Sequence, residues 1–227
     1  MNTAIIVAAG KGTRMNAGMN KLFMIIKGKP LLAHTLQIFQ SCKAIDSIII
    51  VTDREEMQLC KEQILDAYDF DKVDKLVCGG RERQQSVLNG IRALKENCSI
   101  VVVHDGARPI VSDGIIKRCI EGAELLGAVS AGMPVKETIK LVDEENFVEY
   151  TPKRERVWIT QTPQAFQRDI IREAHEIADI KGIRGTDDAS LVEHMGIKVK
   201  MIEGSYENIK ITTPEDLIIV ETLMDKK

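Results

Sequence analysis

The residues best suited to chemistry fall into three short stretches, each directly after an apolar run. The first is Ala8-Ala9-Gly10-Lys11-Gly12-Thr13-Arg14-Met15, with Lys21 following in Met19-Asn20-Lys21-Leu22. Small residues let backbone N–H groups approach a phosphate or a base closely, and Arg14 supplies a planar fork for phosphate oxygens. The second is Gly79-Gly80-Arg81-Glu82-Arg83-Gln84-Gln85-Ser86-Val87. Its paired glycines leave room for a flat base, and Ser86 can donate or accept at the base edge; the same string also reads as a capped helix start. The third is Val103-His104-Asp105-Gly106-Ala107-Arg108-Pro109. A carboxylate at a strand end beside a phosphate loop can hold Mg²⁺, a hard cation that prefers oxygen ligands. The plainer alternative is a buried structural pair of Asp105 with Arg108.

Better-known chemistries fail on the residues. A P-loop would need glycine where Ile5 stands and Ser or Thr where Gly12 stands. The dinucleotide fingerprint fails at Met15. No Ser-His-Asp or Cys-His arrangement forms a recognisable motif. The five cysteines are scattered and never spaced Cys-x-x-Cys, which points to reduced thiols and a cytoplasmic setting rather than a zinc site or a disulfide framework. With a formal net charge of -3 and only 4% aromatic residues, the chain lacks the basic face and stacking aromatics of a nucleic-acid binder. Its cations must therefore act locally, one phosphate at a time. No apolar run approaches bilayer length, and Met1-Asn2-Thr3 leads into an apolar strand without a signal-peptide pattern, so neither membrane insertion nor secretion is expected.

The elements that must position these stretches alternate. Residues 3–8, 47–52, 73–78 and 100–104 read as β-strands, with helices opening at Pro30, near Arg54 and near Gln84. In the last of these, Val87, Leu88, Ile91 and Leu94 share one face. This rhythm predicts an α/β fold with a Rossmann-like, mostly parallel twisted sheet covered by helices on both faces. Ligands then bind beyond the carboxyl ends of the strands, where the three stretches begin. Past Met133 the rhythm breaks. Residues 137–142 and 147–150 flank the polar turn Asp143-Glu144-Glu145-Asn146 and read as a hairpin, either a projecting arm or an ordinary edge hairpin. A helix over 168–179, a short helix capped by Thr186, a strand over 197–202 and a final helix with Thr213 as N-cap and Pro214 at its first position complete the chain. One domain over 1–227 with an arm at about 134–157 is expected.

The first loop, Ala-Ala-Gly-x-Gly-x-Arg-Met, resembles the signature loop of nucleotidyltransferases that activate sugars and polyols, the nucleotide-diphospho-sugar transferase type. His-Asp-Gly-Ala-Arg-Pro is similar to the motif of the IspD family of isoprenoid biosynthesis, the 2-C-methyl-D-erythritol 4-phosphate cytidylyltransferases. Further strings in the same order resemble that family: Pro134-Val135-Lys136-Glu137-Thr138-Ile139-Lys140, Pro152-Lys153-Arg154-Glu155-Arg156-Val157-Trp158, Gln161-Thr162-Pro163-Gln164, Thr186-Asp187-Asp188-Ala189-Ser190 and Asn208-Ile209-Lys210-Ile211-Thr212. Relatives usually have Pro-Lys-Gln where this chain has Asn20-Lys21-Leu22, Asp at Glu137, and Asp-Arg where it has Lys153-Arg154.

The resemblance implies transfer of CMP from CTP to methylerythritol phosphate with release of pyrophosphate. Arg14 and Lys21 would offset charge on the triphosphate, and Arg154 and Lys210 would aim the acceptor phosphate. Ala8, Ala9, Gly10, Gly12, Gly80, Ser86, Asp105, Gly106 and Arg108 would bind nucleotide, with Asp105 at Mg²⁺ directly or through water. Thr138 and Thr162 would grip the acceptor. The arm would cross to a partner subunit, which implies a homodimer. Ending after its last helix, the chain is expected to carry no fused second enzyme. Three rival readings stand beside this one: a ribitol-5-phosphate cytidylyltransferase, a longer type of NTP-sugar pyrophosphorylase, and a catalytically silent nucleotide-binding protein. Ala8-Ala9-Gly10 and Gly106-Ala107-Arg108 favour methylerythritol phosphate over ribitol phosphate.

Overall fold

The computed structural model describes residues 1–10 and 20–226. In chain order the principal elements are β1 (Asn2–Val7), α1 (Leu31–Ser41), β2 (Ser47–Thr52), β3 (Val73–Cys78), α2 (Arg83–Arg92), β4 (Ile100–Asp105), α3 (Asp113–Leu126) and β5 (Ala128–Pro134). There follow β6 (Leu141–Val142), β7 (Val148–Tyr150), β8 (Trp158–Gln167), α4 (Arg168–Lys181), α5 (Asp188–His194), β9 (Lys200–Glu203) and α6 (Pro214–Met224). Seven strands form one sheet in the order β9-β5-β8-β4-β1-β2-β3. β8 runs antiparallel to both neighbours, while the other pairings are parallel.

Strands buried on both faces read as continuous apolar runs, and β1 shows why. Ala4, Ile6 and Ala8 pack into one core layer with α1, α3 and α6, whereas Ile5 and Val7 join the opposite layer with α2, α4 and α5. In β2, Ile48 and Ile50 divide from Ile49 and Val51 in the same way. Helices therefore cover both faces, as the alternating rhythm predicts.

From β1 the chain steps outward to β2 and β3, then returns to place β4 on the other side of β1. The strand order thus reverses between β1 and β4, where open α/β sheets bind their ligands. Their carboxyl ends are level, with Val7 paired to Asp105.

Several expected elements differ in detail. The hairpin exists but is shorter, with Leu141 paired to Tyr150 and Val142 to Val148. It forms a separate two-stranded sheet. The strand expected over 197–202 is β9, Lys200–Glu203. The segment opening at Arg54 is a mixed helix of 3₁₀, α and π turns through Leu65. The cap of α5 is Asp187 rather than Thr186: its side chain accepts from Ser190 N at 2.9 Å in a capping box. An aspartate reaches the N3 amide as well as a threonine does, and Asp187 stands one residue nearer the helix. The final helix starts as expected, with Thr213 and Asp216 forming a capping box and Pro214 in the first turn. Strands β5 and β8 and helix α3, capped by Ser112, have no counterpart in the sequence reading.

Candidate active site

Four loops meet beyond the carboxyl ends of β1, β3 and β4. Directly after β1, Ala8 N donates to Val51 O at 2.7 Å and Gly10 N donates to Asp53 Oδ2 at 3.1 Å. The loop is thereby tied to β2 before it enters residues 11–19, so Gly12 and Arg14 lie outside the described residues. Lys21 opens a 3₁₀ turn capped by Asn20, whose side chain accepts from Leu22 N at 3.1 Å and donates to Glu56 Oε2 at 2.8 Å. Asparagine thus builds the turn by side-chain hydrogen bonds.

After β3, Gly79 lies hard against the first loop: a Cβ there would stand 2.6 Å from Cβ of Ala9. Glycine is what allows the two loops to touch. Gly80 N donates to Ser86 Oγ at 3.1 Å, and Ser86 Oγ donates to Glu82 O at 3.0 Å. The Ser86 hydroxyl hydrogen therefore serves the turn that starts α2, and its remaining capacity is as an acceptor.

At the end of β4, Gly106 N donates to Val7 O at 2.9 Å, and Gly106 O accepts from Thr35 Oγ1 at 2.7 Å. Asp105 is 7% exposed and stands at the centre of a charged cluster. Its Oδ1 is 3.2 Å from Arg83 Nε, and its Oδ2 is 2.8 Å from Lys210 Nζ and 3.7 Å from Arg108 Nε. Burial alone would push the Asp105 carboxyl up, but Arg83, Lys210 and Arg108 overcome it and hold the group well below the usual carboxylate range. Arg83 continues through Nη2 to Asp188 Oδ2 at 2.8 Å, and Asp188 Oδ1 accepts from His175 Nε2 at 3.1 Å. Burial likewise opposes ionisation of Asp188, yet Arg83 and His175 keep its carboxyl low.

Arg108 directs Nη1 to Asn208 O at 2.6 Å. This is the geometry of a structural brace between the β4 loop and the segment before α6. Asn208, fully buried, also donates to Thr162 O at 2.8 Å, and Ile211 N donates to Ala107 O at 2.9 Å. These bonds deliver Lys210 to Asp105 from the far end of the chain. Thr162 is buried at the same level: its Oγ1 accepts from Asp105 N at 3.1 Å and lies 3.1 Å from His104 Nδ1. His104 Nε2 lies 3.2 Å from Arg108 O. A carbonyl only accepts, so Nε2 carries the proton, Nδ1 accepts, and the Thr162 hydroxyl donates to it. Burial holds the His104 imidazole down at about 4.

The structure therefore brings Ala8, Ala9, Gly10, Gly80, Ser86, Asp105, Gly106, Arg108, Thr162 and Lys210 to one end of the sheet. Thr138 and Arg154 lie at the exposed base of the hairpin, which leaves the carboxyl end of β5 at this same end of the sheet, and Arg154 Nη1 donates to Lys136 O at 3.1 Å. That base is joined to the Lys210 segment through Tyr206, which donates to Pro134 O at 2.7 Å and carries Lys136 Nζ 3.6 Å from its ring centroid. The sequence reading passed over Arg83, His175 and Asn208. One signal was present: Asp187 suffices to cap α5, leaving the adjacent acid Asp188 in need of a partner.

The cluster of Arg83, Arg108 and Lys210 against Asp105 and Asp188 carries three cations and two carboxylates, a surplus of one positive charge. At the switch point of a mostly parallel sheet, beside a glycine-rich loop, this is the layout of a nucleotidyltransferase. The chain belongs to the 2-C-methyl-D-erythritol 4-phosphate cytidylyltransferase (IspD) family, whose profile matches residues 2–226. It is 49% identical over 224 residues to the cytidylyltransferase of that name from Caldanaerobacter subterraneus subsp. tengcongensis, covering 99% of each chain. It is 48% identical over 226 residues to the one from Clostridium acetobutylicum, covering 100% of this chain and 98% of that one. Among solved structures it resembles the 4-diphosphocytidyl-2C-methyl-D-erythritol synthase of Anaerococcus prevotii, with a TM-score of 0.89, 33% identity and coverage of 99% and 96%. The 2-C-methyl-D-erythritol 4-phosphate cytidylyltransferase of Thermus thermophilus matches with a TM-score of 0.78, 31% identity and coverage of 99% and 100%.

Proposed function

We propose that this protein transfers CMP from CTP to 2-C-methyl-D-erythritol 4-phosphate, giving 4-diphosphocytidyl-2-C-methyl-D-erythritol and pyrophosphate in isoprenoid biosynthesis. The observation that carries this reading is the contact of Lys210 with Asp105 at the β1/β4 switch point. In the reaction an oxygen of the acceptor phosphate forms a bond to the α-phosphorus of CTP. The bond from that phosphorus to the bridging oxygen breaks, and pyrophosphate leaves with the electron pair. The acceptor phosphate is already anionic near neutral pH, so the protein needs no general base. Its task is to hold two polyanions in line and offset their charge. Arg14 and Lys21 act on the triphosphate, Lys210 at the junction of the two substrates, and Arg154, Thr138 and Thr162 on the acceptor. Ala8 to Gly12, Gly80, Ser86 and Gly106 shape the nucleotide site. Arg108, braced on Asn208, acts by supporting this wall.

Asp105 offers one ionised, hard carboxylate, and among the described residues no group of three or more His, Cys, Asp or Glu could hold a metal ion by itself. That donor set fits Mg²⁺ or a similar divalent cation, which keeps waters and takes its other ligands from substrate phosphates. Such an ion bound at Asp105 supplies charge stabilisation to the phosphoryl oxygens.

A single domain over 1–227 with its arm at 134–157 suits a homodimer. The hairpin exposes Leu141, Val142, Phe147, Val148 and Tyr150 by 47–69%, and an isolated two-stranded hairpin is marginal without a packing partner. All five cysteines are free, in keeping with a cytoplasmic setting. Among the described residues no helix is long and apolar enough to cross a membrane.

Pyrophosphate release with CTP, Mg²⁺ and either methylerythritol phosphate or ribitol 5-phosphate tests the reading. Release with the first acceptor and its loss on chelation are expected. Preference for ribitol 5-phosphate would replace the acceptor assignment, and no release with either would end the enzyme assignment.

A further inference from the structure

We infer that Arg83 is a positioning residue for Asp105, itself fixed by Asp188 and His175 on the far side. The inference rests on the proposed role of Asp105 at the nucleotide. The chain of contacts runs from His175 Nε2 to Asp188 Oδ1 at 3.1 Å, from Asp188 Oδ2 to Arg83 Nη2 at 2.8 Å, and from Arg83 Nε to Asp105 Oδ1 at 3.2 Å. The inner end is sealed: His175 and Asp188 have side chains 0% and 1% exposed. The outer end is the site.

Arginine suits this link because its planar fork can engage two carboxylates at fixed angles, whereas a lysine ammonium is a single point charge on a flexible stem. With Nη2 held by Asp188, Nε meets one oxygen of Asp105 from behind. Lys210 sits on the other, Oδ2. The division matters: Arg83 occupies Oδ1, so Oδ2 is the oxygen that Lys210 and Arg108 face. Without Asp188, the guanidinium is free to turn both its donors onto Asp105 and cover the oxygen that the substrate side uses. Asp188 and His175 therefore act on the reaction through Arg83, without touching substrate.

Breaking a buried ion pair outright is strongly destabilising, so the deciding variants keep size and shape: Arg83→Lys, Asp188→Asn and the double variant. All are measured at a temperature where circular dichroism shows them folded. Each single change should lower kcat by about 10–100-fold, the usual effect of losing a group that orients a site ligand, with KM for CTP near the wild-type value. The double variant should be no worse than the poorer single one, because both changes interrupt one chain. Singles within about threefold of wild type, or a double variant whose loss is the product of the two, would overturn the inference. If Arg83→Lys does not fold, Asp188→Asn decides alone by the same kcat criterion. Wild-type enzyme runs alongside: normal wild-type turnover with normal variants rejects only the role of Arg83, whereas silent wild-type enzyme rejects the function itself.

Discussion

Lys210 Nζ lies 2.8 Å from Asp105 Oδ2, although one follows the last strand and the other ends the fourth. The contact is imposed by the buried Asn208 and by the bond from Ile211 N to Ala107 O, which pin the Lys210 segment over the β4 loop. Asp105 retains Arg83 and Arg108 if the lysine is lost, so Lys210→Ala should fold normally. Its rate of CMP transfer should fall about 10²–10³-fold, or roughly 2.7–4 kcal/mol of barrier. Steady-state kinetics beside a thermal melt check both halves.

Arg14→Ala and Lys21→Ala should each reduce turnover on the same scale, about 10²–10³-fold, with little change in melting temperature, since each removes a donor to the developing phosphoryl charge. Near-normal pyrophosphate release in either variant would remove that residue from the catalytic set.

Arg154 sits at the base of the arm, bonded to the Lys136 carbonyl, whereas the cations on Asp105 are Arg83, Arg108 and Lys210. Arg154→Ala should therefore raise KM for the acceptor while leaving nucleotide binding unchanged, which calorimetry with CTP can verify. Equal damage to both substrates would contradict this division.

The arm prediction concerns assembly. Phe147→Glu, placing a charge at a residue 69% exposed, should shift a dimer toward monomer in light scattering while the isolated chain keeps its circular dichroism. An unchanged mass would move the dimer interface away from the hairpin.

Acid should destabilise the fold before it hydrolyses anything. Burial lowers the His104 imidazole from 6.5 to about 4, so the unfolded chain binds a proton that the native state refuses. Stability from this group is fully present above pH 6.5 and is lost as pH falls toward 4, by roughly 3 kcal/mol in all. Asp105 and Asp188, both held low, add losses at still lower pH. Urea melts between pH 7 and 4 should show this slope, and His104→Gln should flatten it by about one proton. An identical slope in the variant would show that His104 does not control it.

Much of this was legible before any coordinates. Residues 4–8 form an unbroken apolar run because β1 is covered by helices on both faces, and such burial leaves its mark on every position. The loops after β1, β3 and β4 declared themselves because glycine and charge at a strand end have few other uses. Strand β8 did not: Gln161, Thr162, Pro163 and Gln164 look like a turn, and the strand pairing is irregular between Thr160 and Gln164. Its neighbour β5 is built of small residues with little strand character, Ala128 to Met133. Local propensity could not find either strand, because their pairing partners, not their own side chains, decide them.

The kinds of residue present, their order and the chemistry they can perform were written into the chain, since charge and hydrogen-bonding capacity belong to side chains wherever they lie. Which carboxylate meets which cation was settled only when the backbone folded. Asp105 could be matched with Arg108 from proximity alone, yet its nearest partners are Lys210 and Arg83, and Arg108 turns to Asn208. Burial in a shared low-dielectric cluster selects those pairs, and no interval along the polypeptide encodes it.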